Sequence, residues 1–73
     1  MTDRELYQDA RRVLDHRPGQ PIASLADRLR AHHMICTLNS RGGAGSMAIA
    51  ENQSAALADI SLALAALLDR TER

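Results

Sequence analysis

His32 and Cys36 stand four residues apart, a spacing that puts an imidazole and a thiol on one side of a helix. Two chemistries use such a pair. As metal ligands they would need more donors from His16 or His33, and structural zinc sites show two paired-ligand motifs where this chain has one. As a nucleophile the thiol would need a lowered pKa, an orienting third group and an oxyanion site inside a cleft. A 73-residue chain with one aromatic residue has little material for a cleft, and no acid pair, Ser-His-Asp set or cofactor motif accompanies the pair. The expectation is no metal, no cofactor and no catalysis. Cys36 then reads as a buried structural residue and His32 as the edge of a core.

The run Arg41-Gly42-Gly43-Ala44-Gly45-Ser46 leads into an apolar segment, and glycines before a helix can leave backbone N–H groups free to hold an anion. It is not a P-loop. The Gly-Lys-Ser/Thr ending is absent and Arg41 is the one nearby cation, so residues 42–45 read as a connector. Leu25-Ala26-Asp27-Arg28-Leu29-Arg30 resembles the first helix of a helix-turn-helix, where a small residue lets the second helix approach. A recognition helix should follow a short turn. The chain instead gives Thr37-Leu38-Asn39-Ser40-Arg41-Gly42-Gly43, which cannot hold three helical turns.

Nine arginines, no lysine and nine acids leave no net charge. Residues 1–41 carry seven of the arginines against five acids, so the two halves differ mildly in sign. Arg11, Arg12, Arg28, Arg30 and Arg41 are the candidate partner-binding residues, through phosphates if the partner is nucleic acid. The acids interleaved with them cancel most of their field. Arginine without lysine, together with thirteen alanines, is a composition common in GC-rich genomes and suggests a bacterial or phage source.

Apolar residues make up 45% of the chain, but thirteen of them are alanine. A domain this small buries only about 60% of its unfolded surface and usually needs a metal, a disulfide or a partner chain. One cysteine excludes an internal disulfide and suits a reducing cytoplasm. The start Met1-Thr2-Asp3-Arg4-Glu5 lacks the basic and apolar runs of a secretory signal, so Asn52-Gln53-Ser54 reads as a chance glycosylation triplet.

Two breaker clusters, 17–21 and 40–46, divide the chain into three segments of one domain spanning 1–73. The first carries Leu6, Ala10, Val13 and Leu14 on one side, and Thr2-x-x-Glu5 has capping-box spacing. The second runs Ile22, Leu25, Leu29, His32, Cys36, with Ser24-x-x-Asp27 as a further cap signal. In the third, from Ala55 to Leu68, only Asp59 and Ser61 are polar, and Ile49, Gln53, Leu57, Ile60, Leu64 and Leu67 hold one stripe with Leu62 and Leu68 off it. Fourteen residues with an internal Asp are too short and too polar to span a bilayer.

The predicted fold is all-α, a small self-associating three-helix domain with helices at about 3–16, 22–37 and 47–69. The alternative is α+β, with a short hairpin pairing 34–38 and 46–50. A helix apolar around most of its circumference must be covered on more than one side, so Leu57, Ile60, Leu62, Leu64, Leu67 and Leu68 are the expected oligomer interface, most simply of a homodimer. The expected function is that of a small non-enzymatic regulatory or inhibitory protein that binds another protein as a cytoplasmic homo-oligomer. The alternative is a nucleic-acid-binding regulator using the Arg-rich half.

Overall fold

The computed structural model describes residues 1–15, 17–42 and 45–72, and every described regular element is a helix: α1 (Asp3–Leu14), α2 (Leu25–Ser40) and α3 (Ser46–Thr71). The helix α1 starts where Thr2 predicts. Thr2 Oγ1 accepts from the Glu5 N–H at 3.2 Å while the Glu5 carboxylate accepts from the Thr2 N–H at 3.3 Å, and Asp3 and Glu5 lie in the first turn with Arg11 and Arg12 in the last. Its described part ends at Leu14, short of the expected 16, where the C-cap Asp15 is already extended. Position 16 lies outside the described residues.

The helix α2 begins at Leu25 instead of 22. Ser24 takes the cap, its Oγ accepting from the Asp27 N–H at 3.1 Å, and Ile22 stays outside the helix and exposed. The helix then runs on to Ser40, past the expected 37, and closes where Gly42 adopts φ 131°. Residues 34–38 and 46–50 are both helical, so the hairpin alternative is not adopted. Neither arm had the β-branched content to favour a strand.

Lying between the other two, α2 packs against α1 and α3, which make no close backbone approach to each other among the described residues. Ala10, Ala31 and Ile35 form the small core with Leu14 and Met34 packed on it, and Ile35 is the one large side chain fully buried there. Ala31, His32, Ile35 and Leu38 are the buried residues of α2. The expected column ending in Cys36 is therefore corrected: Cys36 is exposed, and Leu25 and Leu29 are half-buried. Cover from two neighbouring helices shifts the buried arc to positions that the single stripe did not include.

The helix α3 is rotated relative to its leucines. Asn52 and Ala56 are buried against α2, with Ile49, Asp59 and Ala63 half-buried on the same line. At 26 residues α3 is about 39 Å long, against about 24 Å for the 16 residues of α2, so its described residues beyond Ala63 project past its neighbour and are exposed. The radius of gyration is 13.7 Å, where a compact chain of this length would have about 11 Å. Among the described residues no helix is long and apolar enough to cross a membrane.

Candidate functional site

The contact between α2 and α3 is a chain of polar side chains. His32, 5% exposed, sits between two oxygens: Nδ1 lies 3.2 Å from Asn52 Oδ1 and Nε2 lies 2.9 Å from Asp59 Oδ2. A doubly protonated ring donates to both; a neutral ring serves Asp59 and needs the Asn52 amide turned to donate to Nδ1. Arg28 reaches the same carboxylate with Nε and Nη2, each at 3.3 Å, and its Nη1 donates to the Ala23 carbonyl at 2.9 Å. The Asn52 amide donates to Cys36 Sγ at 3.1 Å. Arg28, His32 and Cys36 recur one turn apart on α2, and Asn52 and Asp59 lie two turns apart on α3, so one seam serves all five.

The Asp59 carboxyl is held below the ordinary carboxylate range, first by the Arg28 hydrogen bond, with burial opposing and the His32 hydrogen bond adding to the lowering. Every buried side-chain polar atom among the described residues has a hydrogen-bond partner. The seam therefore positions the two helices, and its groups are occupied with each other. His32 and Cys36 do share a helix side, but Asn52 stands between them, so the thiol faces an amide and not an imidazole. No group of three or more metal-capable side chains exists among the described residues. Asn52, the head of the glycosylation triplet, is buried in this seam.

The five arginines singled out in the sequence are each paired with an acid of the same chain. Arg11 meets Asp15 at 2.7 Å, Arg12 meets Asp9 at 2.9 Å, Arg30 meets Asp27 at 3.0 Å and Arg41 meets Asp3 at 3.2 Å. Those four are exposed pairs of small energetic weight, whereas Arg28 is turned into the seam. In the loop, Gly42 and Gly45 are described and positions 43 and 44 lie outside the described residues. The nearby cation, Arg41, is the one paired with Asp3.

The six apolar residues singled out on α3 are all exposed. Leu57, Ile60, Leu62, Leu64, Leu67 and Leu68 are between 41% and 63% exposed. At 100° per residue, Leu57, Ile60, Leu64 and Leu67 make one stripe with Leu68 at its edge, and Leu62 lies about 160° from Leu64 on another face. These six were legible in the sequence as an apolar set, whereas the polar seam was missed; its signal was Asn52 and Asp59 seven apart, with Asp59 interrupting the apolar run 55–68. Comparison of the chain with protein-family models, curated proteins and solved structures found no match.

Proposed function

We propose that this chain is a small non-enzymatic regulatory or inhibitory protein that works in the cytoplasm by binding another protein, as a homo-oligomer. The observation that carries the reading is the uncovered half of α3, which turns small and polar residues toward α2 and leaves leucines on the outside. A contiguous exposed apolar surface of this kind is one mark of a protein-interaction site. Two faces are involved, the stripe through Leu64 and the opposite side at Leu62, which suits a protein that contacts both itself and a partner.

The separation of Cys36 from the imidazole by Asn52 supports a non-enzymatic role, and an exposed unpaired thiol suits a reducing compartment. The pairing of all five candidate arginines weighs against a nucleic-acid role, because the field that would attract phosphates is largely cancelled within the chain. Affinity capture with the tagged full chain, run with and without nuclease, tests the choice. Partners that persist after nuclease treatment support protein binding; partners lost on nuclease treatment would favour the nucleic-acid reading.

A further inference from the structure

We propose that α3 pairs antiparallel with α3 of a second copy, in the register that sets Leu57 against Leu67 and Ile60 against Leu64. This rests on the self-association proposed above and specifies its geometry. The stripe Gln53, Leu57, Ile60, Leu64, Leu67, Thr71 has spacings of four, three, four, three and four, which read the same in both directions. Reversed on itself, it brings each apolar residue onto an apolar residue and each polar end, Gln53, onto the other polar end, Thr71. No charged residue lies on the stripe. Alternating three and four is the seam spacing of paired helices.

The area supports the same occupant. The chain exposes 5682 Å², about 1,200 Å² more than a compact monomer of its 8.0 kDa mass would expose. A stable interface takes about 800 Å² from each partner, so the excess is sufficient for one. The antiparallel direction follows from what each end lacks. The described residues of α3 beyond Ala63 are all exposed, while the half around Gln53 is flanked by α2 and by a groove of about 200 Å³ lined by Cys36, Ile49 and Gln53 among others. Reversal lays the projecting half of each copy along the flanked half of the other, where its last turn meets that groove. A parallel pair would leave both grooves open, and it would align the helix dipoles unfavourably.

The test uses the full chain with Cys36→Ser, since a serine oxygen can accept the Asn52 hydrogen bond in place of sulfur. Gln53→Cys and Thr71→Cys are added in separate proteins, both at exposed positions. After subunit exchange and mild oxidation with glutathione disulfide, the mixture should give a disulfide dimer joining positions 53 and 71, several-fold above either protein alone, as peptide mass spectrometry reads it. A disulfide needs a Cα separation of about 4.4–6.8 Å, which selects facing positions over distant ones. Sedimentation of the same proteins should give twice the 8.0 kDa chain mass. A monomer would overturn the self-association itself. A dimer linking 53 to 53, or forming no link between 53 and 71, would overturn the register alone. Leu64→Glu should abolish the dimer, whereas Leu62→Glu, on the opposite face, should leave it intact.

Discussion

Asp59 shows how one residue can decide the orientation of a helix. It is the carboxylate that joins Arg28 and His32 across the seam, and it was visible in the sequence only as an interruption of an alanine-leucine run. Its function was not legible there, because its partners lie on α2 and no local pattern shows which face of one helix will meet another. Replacing Asp59 by Asn should cost about 1.5–3 kcal/mol at pH 7, the range for hydrogen bonds to charged groups, since Arg28 loses its counter-charge and His32 a carboxylate partner. A carboxyl more acidic in the folded than in the unfolded chain contributes fully above its unfolded pKa of about 3.9 and loses that contribution as pH falls through the lower folded value. Urea titrations should therefore show the gap between Asp59→Asn and the parent narrowing below about pH 4. A gap of constant size from pH 7 to pH 3 would mean that the carboxylate's charge does not matter.

At the scale of elements, the cap spacings were the most legible feature, although the expected start of α2 at 22 lay three residues early. Thr2 and Ser24 both cap where their spacing to Glu5 and Asp27 predicts, because a cap depends on residues three apart and on nothing distant. The third start has no such device: Gly45 is the cap and makes no side-chain hydrogen bond. With φ −70° and ψ 156° it already has cap geometry, and a Cβ there would meet open space. Gly45→Ser should thus stabilise the fold by a few tenths of a kcal/mol to about 1 kcal/mol, read as a higher urea midpoint. Gly42 is the contrasting case. Its φ of 131° is one that L side chains rarely adopt, so Gly42→Ala should cost about 1–2 kcal/mol although nothing stands near the added methyl. If both substitutions had the same effect, backbone conformation would not be what separates them.

The whole molecule leaves most of its large apolar residues on α3 exposed around a small core. Among the described residues the buried apolar ones are Ala10, Ala31, Ile35, Leu38 and Ala56, three of them alanine, while all six leucines and isoleucines from 57 onward are on the outside. The all-α class could be read from periodicity and composition. Which apolar residues would be internal could not, because the seam between α2 and α3 was claimed by polar pairs and the leucines were left over. A fold built this way should draw part of its stability from association, and its unfolding should then depend on protein concentration. Raising the concentration a hundredfold favours a folded dimer over two unfolded chains by about 2.7 kcal/mol, enough to move the thermal midpoint by several degrees in a domain this small. Melting curves followed by circular dichroism at 1 and 100 micromolar, about two decades apart, should show that rise in the parent chain and lose it in Leu64→Glu. A parent midpoint independent of concentration would mean that the small core suffices alone, and that the leucines of α3 contribute nothing to the stability of the fold.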